Sequence, residues 1–220
     1  MELLMYQVII KRLLDIVLSL LAIIVLSPVF LILALCVRVF MGSPVLFSQR
    51  RISKDENAFN LYKFRSMTNA KDKNGNLRPE KDRLTKFGIT LRSSSLDELP
   101  ELFSILKGDM SIVGPRPLPT YYGPYFLEHE RIRHKVRGGL IPPDSLGGAT
   151  TSDWETQFEY ETYYAQHVSF MLDVKVILCT FKILINRVRT DYGADDRPHL
   201  NKYRETMQVS KAVIDDWAKR

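Results

Sequence analysis

Cysteine is scarce in this chain, with two in 220 residues. Cys36 and Cys179 cannot build a disulfide framework, and no Cys-x-x-Cys pair occurs, which argues against a thiol-redox or cysteine-zinc protein. The four histidines, His129, His134, His167 and His199, have no metal-ligand spacing. Low-complexity and collagen-like repeats are absent. Hydrophobic residues make up 45% and charged residues 25%, values of a folded chain that exclude extensive disorder. The length suits one domain plus an accessory element. Acidic charge is in deficit, 25 Asp and Glu against 31 Lys and Arg, for a net charge of +6 and an isoelectric point near 9.3. Nucleic acid, an anionic membrane surface and phosphorylated small molecules all suit that balance.

Charge is missing altogether from Ile16 to Val37, although the mean hydropathy of −0.11 reads as a water-soluble protein. As one straight helix these 22 residues would measure roughly 33 Å, enough for a hydrocarbon core of about 30 Å. No cleavage site follows, so the segment is not a secretory signal. Ser27-Pro28 lies at its midpoint. Proline removes a backbone donor and clashes with the preceding turn, so a kink is expected, with Ser27 able to bond a freed carbonyl. Each half then measures about 15–18 Å. Lys11 and Arg12 precede the segment, and Arg38, Arg50 and Arg51 follow it. Basic flanks on both sides give the positive-inside rule no asymmetry. A helix-break-helix hairpin entering and leaving one leaflet, a kinked transmembrane helix and a core helix of a soluble protein all remain open on this segment alone.

Between Arg50 and Arg92 there are 12 Lys or Arg against 5 Asp or Glu, a local excess greater than that of the whole chain. The alternation over Phe59–Phe64 predicts a strand, and Val45–Phe47 predicts a shorter one. Residues 71–82 form a polar loop of mixed charge around Asn74-Gly75. Solvated charge accounts for most of these basic residues, and Lys63 and Arg65 on either side of Phe64 are the better anion-site candidates. Residues 93–108 predict a helix, with serines for N-caps, Asp97 and Glu98 in the first turn, Pro100 near the start and Lys107-Gly108 at the end. Capping is the ordinary reading of that acidic pair. The alternative is a carboxylate kept ionised by the helix end and by Arg92, ready to act as a nucleophile or a Mg²⁺ ligand. Gly108–Pro117 (GDMSIVGPRP) then predicts a short strand, Met110–Val113, running into a glycine and two prolines around Arg116. A guanidinium on so rigid a backbone suits bidentate phosphate binding, and an exposed turn arginine is the plain alternative.

These motifs together resemble the bacterial sugar transferases, small monotopic phosphoglycosyl transferases. The matching residues run in order: KRLLDIVLS with its Ser27-Pro28, Gln49-Arg50, Lys63-Phe64-Arg65-Ser66-Met67, Arg92-Ser93, Leu96-Asp97-Glu98-Leu99, GDMSIVGPRP, and His134-Lys135-Val136-Arg137. They cover about residues 8–190, and the minimal form of the family, without a large multispanning region ahead of them, is expected. The resemblance implies an α/β, mostly α, monotopic membrane protein. It would have a re-entrant helix-break-helix bent at Ser27-Pro28, a small sheet and interfacial amphipathic helices. Its parts would be an anchor (1–40), a catalytic domain (41–190) and a polar tail or partner-binding helix (191–220).

The implied reaction moves a sugar 1-phosphate from a UDP-sugar to undecaprenyl phosphate through a phosphosugar on Asp97, releasing UMP. Glu98 would be the partner of Asp97, and Asp97 the contact to a Mg²⁺ cofactor. Lys63, Arg92 and Arg116, with Arg65 added from the residue reading, would hold substrate phosphate. The implied partners are UDP-sugar, undecaprenyl phosphate and lipids of the bacterial inner membrane on its cytoplasmic face, without nucleic acid, and a homodimer is left open. One departure stands out: after Arg137 the family continues with a Pro-Gly turn and a Trp-Ala-Gln-Val-Asn-Gly-Arg-like run, whereas residues 138–148 read GGLIPPDSLGG. A differently shaped loop is expected there. Two other functions are weighed: a membrane-anchored basic scaffold for polyanions, and a family member with altered activity.

Further along, Phe170, Val174, Ile177, Leu178, Phe181, Leu184, Ile185 and Val188 have helical spacing, with Lys175, Lys182 and Arg189 on another face. Such a helix could lie in a membrane interface or pack on the core. Trp154, Tyr163 and Tyr164 could serve in either place.

Overall fold

The computed structural model of the chain describes residues 5–148, 153–187 and 197–207. A π-helical turn, Tyr6–Ile10, leads into α1 (Lys11–Val25), and α2 (Ser27–Met41) follows at once. The two are bent by 63°. Leu26 leaves helical geometry at φ −88°, ψ 3°, and Pro28 falls in the first turn of α2, where a missing N–H costs nothing. The Ser27 hydroxyl donates to the Ile24 carbonyl at 2.8 Å, the bond expected at the kink. Among the described residues no single helix is long and apolar enough to cross a membrane, while this bent pair passes by length and composition together.

One side of the hairpin packs inward. Ala22, Ile23, Leu26 and Phe30 meet Phe59, Leu61, Leu102, Ile105 and Met110, and Leu33 and Val37 join Phe64 and Leu91. The other side leaves Leu21, Val25, Leu31, Leu35 and Val39 exposed. Lys11 and Arg12, counted above as a basic flank, point into the protein instead. Lys11 pairs with Asp173 at 2.6 Å, and Arg12 donates to the Ile105 and Leu106 carbonyls at 2.7 and 2.8 Å. Buried Asp15 accepts from Ser111 Oγ and the Ile112 N–H at 3.1 and 2.9 Å. An apolar periodicity cannot report these bonds, because the partners lie about ninety or more residues away.

The expected small sheet is two separate pairs. β1 (Leu46–Ile52) and β2 (Ala58–Phe64) form an antiparallel hairpin with Leu46 opposite Phe64. β1 runs longer than its apolar start suggested because β2 supplies backbone partners through Ile52. β3 (Met110–Val113) pairs in parallel with β4 (Gly138–Ile141). Between them lie α3 (Lys86–Ser93) and α4 (Glu101–Lys107). α5 (Trp154–His167) and α6 (Phe170–Arg187) complete the domain, and Trp154 and Tyr164 are buried while Tyr163 is exposed. Along α6 the buried side centres on Asp173 and Val176. Phe170, Met171, Leu178, Phe181 and Ile185 are exposed beside Lys175 and Lys182. Val188 and Arg189 lie outside the described residues.

The C-terminal segment departs from a polar tail where it is described. α7 (Leu200–Thr206) packs Leu200 into the cluster of Ile52, Leu118, Tyr122, Phe126, Trp154 and Phe158. Arg204 is buried against Glu130 and bonds Glu155 at 2.9 Å. Arg197, which donates to Gln157, the Pro198 carbonyl, which accepts from Trp154 Nε1, and His199, which bonds Tyr122, join the docking, and so polar a set does not register as an apolar pattern. The apolar scatter over 209–217 lies outside the described residues.

Candidate active site

Residues 93–108 do not make one helix. α3 runs through Ser93, Ser95 takes a left-handed conformation at φ +56°, a 3-10 turn spans Leu96–Glu98, and α4 starts only after Pro100. The reversal at Ser95 breaks the helical path, and Pro100 serves as N-cap of the second piece. Gly108 closes α4 at φ +103°, a left-handed cap that favours glycine, as expected.

Asp97 therefore sits in a tight turn and not at the end of a long helix, which corrects its expected electrostatics. Asp97 is 7% exposed. Burial and the neighbouring Glu98 charge outweigh Lys63 and Arg92 and push it up to about 6. No helix end keeps it ionised; the surrounding cations do so in part.

Lys63 lies on the inward face of β2 with Phe59 and Leu61, so the strand's period of two delivers an ammonium to the end of a buried apolar row. Its Nζ lies 2.5 Å from Glu98 Oε1 and 3.1 Å from Glu101 Oε1. Arg116 NH1 stands 3.9 Å from the same Glu98 oxygen. Burial opposes the charged form of Glu98, but Lys63 and Arg116 hold it below the usual carboxylate range. Burial, only partly offset by Lys63, and the Glu98 charge push Glu101 the other way. The pair thus divides into one firmly ionised and one readily protonated carboxyl. Arg92 donates Nε to Ser66 Oγ at 2.9 Å and is close enough to act on the Asp97 charge.

Sequence reasoning missed two residues here. Glu101 was hidden because a carboxylate four residues after Asp97 looks like one more surface charge on a helix. Arg51 was counted only as part of the basic flank of the apolar segment, yet its NH1 donates to the Pro117 carbonyl at 2.9 Å, and burial and Arg116 lower its pKa. Arg65 goes elsewhere. Its buried guanidinium donates to the Ser43 carbonyl at 2.9 Å and to the Met41 carbonyl, closing the end of α2. Lys63, Arg92, Arg116, Asp97 and Glu98 are brought together, and Arg65 supports the hairpin.

Among the described residues no group of three or more His, Cys, Asp or Glu side chains could hold a metal ion. Mg²⁺ nevertheless suits the donors present. It takes one or two carboxylates and completes its octahedron with water and substrate phosphate, and Asp97 is a buried carboxylate whose charge its neighbours only partly offset.

The unusual run after Arg137 has a packing reason. A Cβ on Gly139 would stand 2.1 Å from the Gly114 nitrogen, and one on Gly138 would meet Pro117 Cγ at 2.6 Å. Both glycines let β4 press against the Gly114–Pro117 turn that carries Arg116. The Gly138 N–H donates to Ser53 Oγ at 3.0 Å, and Ser53 donates on to the Asp109 carbonyl at 2.7 Å. Arg137 Nε braces the Gly108 carbonyl at 2.9 Å. His134 is buried, and burial with the adjacent Arg133 pushes it down to about 4, so it is neutral near pH 7.

These features define an α/β domain with an anion-handling site, docked on an apolar helical hairpin. Residues 6–187 match the family described as bacterial sugar transferase. The chain is 38% identical over 198 residues to an uncharacterized sugar transferase, EpsL, of Bacillus subtilis, covering 90% of this chain and 96% of that protein. It is 37% identical over 188 residues to the UDP-glucose:undecaprenyl-phosphate glucose-1-phosphate transferase of Klebsiella pneumoniae, covering 80% of this chain and 40% of the relative. With the UDP-N-acetylgalactosamine-undecaprenyl-phosphate N-acetylgalactosaminephosphotransferase of Aeromonas hydrophila it shares 33% over 193 residues, 84% of this chain and 45% of that one. The chain thus spans less than half the length of the two relatives named for a reaction. It belongs to the bacterial sugar transferase family, a family of enzymes.

Proposed function

We propose that the chain transfers a sugar 1-phosphate from a UDP-sugar to undecaprenyl phosphate, with Asp97 as nucleophile. The observation that carries this reading is the buried Asp97 carboxyl set among Lys63, Arg92 and Glu98, with Arg116 standing at Glu98. The relatives' names supply the substrates. In the first step an Asp97 oxygen attacks the β-phosphorus, the bond from that phosphorus to the bridging oxygen breaks, and UMP leaves with the oxygen and its electron pair. In the second, an oxygen of undecaprenyl phosphate attacks the same phosphorus and the Asp97 carboxylate is restored. Dividing the exchange in this way lets one site serve both substrates in turn. Lys63 and Arg116 offset the phosphoryl charge, Glu98 keeps both cations aimed, and Arg92 steadies the ionised Asp97. Magnesium, when held by Asp97, supplies further charge neutralisation.

The hairpin is the proposed membrane element. Each of its helices has 15 residues, roughly 22 Å, short of a hydrocarbon core of about 30 Å. With the 63° bend and an exposed apolar outer side, such a pair suits dipping into one leaflet of the bacterial inner membrane and returning to the cytoplasmic face. The exposed apolar stripe of α6, edged by Lys175 and Lys182, suits the headgroup level of the same leaflet. This would hold the site where the lipid phosphate lies.

The test is nucleotide release. Purified protein incubated with a panel of UDP-sugars, Mg²⁺ and undecaprenyl phosphate is expected to release UMP, and UDP as the only nucleotide product overturns the reading. The pH profile is a second check. Asp97 must be ionised to attack, so kcat/KM is expected to fall about tenfold per pH unit below an apparent pKa near 6. A profile flat down to pH 4.5 contradicts the assignment.

A further inference from the structure

Arg116 is the one residue of the Pro115-Arg116-Pro117 run with a backbone N–H. That N–H donates to Glu161 Oε1 at 2.8 Å, and the Arg116 carbonyl accepts from Arg133 NH2 at 2.6 Å. Arg133 also donates Nε to Glu161 Oε2 at 2.7 Å, and its NH2 stands 2.7 Å from the same oxygen. One ion pair thus grips both backbone polar groups of Arg116. Arg133 and Glu161 are 1% and 0% exposed and come from different elements, the 128–135 segment and α5. Gln157 Nε2 donates to Glu161 Oε1 at 3.0 Å, and the Arg133 guanidinium lies over the rings of Phe126 and Phe158.

A buried ion pair is a poor source of stability, since apolar residues of similar volume often do as well. What this pair provides that apolar residues could not is two directed hydrogen bonds to the backbone of one site arginine. We propose that Glu161 and Arg133 are positioning residues for substrate phosphate binding. They hold the Arg116 backbone so that its guanidinium stands at Glu98 before substrate arrives, and neither touches substrate itself. Preorganisation of this kind lowers the entropy lost on binding and is read in KM more than in kcat. The inference rests on Arg116 being a phosphate ligand.

A double-mutant cycle separates the two claims. UMP release is measured against UDP-sugar concentration for the wild type, Arg116→Ala, Glu161→Gln and the double variant, all in the full chain. Glu161→Gln is expected to raise KM roughly tenfold with a smaller change in kcat, and to add less than about twofold once Arg116 is already alanine, because coupled residues are not additive. An equal KM factor in both backgrounds, with Arg116→Ala itself sensitive, overturns the positioning role and leaves the phosphate reading intact. No change in KM on Arg116→Ala overturns the phosphate reading and the positioning role with it. Should Glu161→Gln not fold, Arg133→Lys completes the same cycle, since a lysine keeps the charge but cannot reach Glu161 and the Arg116 carbonyl together.

Discussion

Asp97→Asn is expected to lower turnover by about 10⁴-fold or more, the scale on which an enzyme loses rate with its nucleophile. An amide is a poor nucleophile toward phosphorus and carries no charge for Mg²⁺. The stability of this variant should move the opposite way. The Asp97 carboxyl is pushed up from the usual range to about 6, so the folded state favours its protonated form. The resulting penalty is absent at acid pH, sets in as pH rises past the unfolded value and is complete above about 6. At pH 7.5 the protein carries that penalty in full, and a neutral amide of the same shape removes it. Asp97→Asn is therefore expected to unfold at the same or a higher temperature than the wild type, and to stay in the membrane fraction. Comparing UMP release with thermal unfolding on the same preparation checks both. A dead variant that also unfolds early would mean that Asp97 holds the structure and need not do chemistry, while near-normal turnover would remove it from the mechanism.

Arg204→Ala is expected to destabilise the domain by about 3–5 kcal/mol, the usual cost of removing one member of a buried pair. Arg204 is 1% exposed and so is Glu130, so the substitution strands a carboxylate with no access to water. Burial already pushes Glu130 up despite Arg204. Without the arginine it should take up a proton on folding, and the deficit should shrink at lower pH. Denaturant unfolding at pH 7.5 and pH 5 would measure this. A loss under 1 kcal/mol at pH 7.5 would show that residues 200–206 behave as the dispensable tail that their polarity suggests.

Those two positions mark the limits of reading the chain alone. The family was legible because Asp97 stands in a run of motifs whose order is distinctive, and the Ser27-Pro28 break was legible because proline acts on its own backbone wherever it is placed. The strand Phe59–Phe64 was legible for the same local reason, an alternation that burial of one face imposes, and Met110–Val113 because a short run with apolar ends meets a glycine and two prolines. Arg204, Glu161 and Asp15 were not, because each looks like an ordinary helix charge until its partner, 74, 28 or 97 residues away, is known. Arg65 shows the reverse error: a basic residue two positions from a site lysine, yet just past the end of β2 and turned to the Ser43 and Met41 carbonyls at the end of α2. The Gly138-Gly139 departure looked like a change in a loop and proved to be a strand pressed against the Arg116 turn.

By itself the sequence determined much of what depends on neighbours within a turn or two, though not the Ser95 reversal that splits residues 93–108. That includes the bend of the hairpin, the strand periods, the apolar stripe of α6, the excess of positive charge over residues 50–92 and the family. Tertiary structure decided which charges face each other. It set the protonation preferences of Asp97, Glu98 and Glu101, the inward use of Lys11 and Arg12, and the clamp on Arg116. The reason is physical: backbone conformation is governed by local sterics and hydrogen bonding, whereas a pKa or an ion pair depends on distance and burial, which only the folded chain specifies.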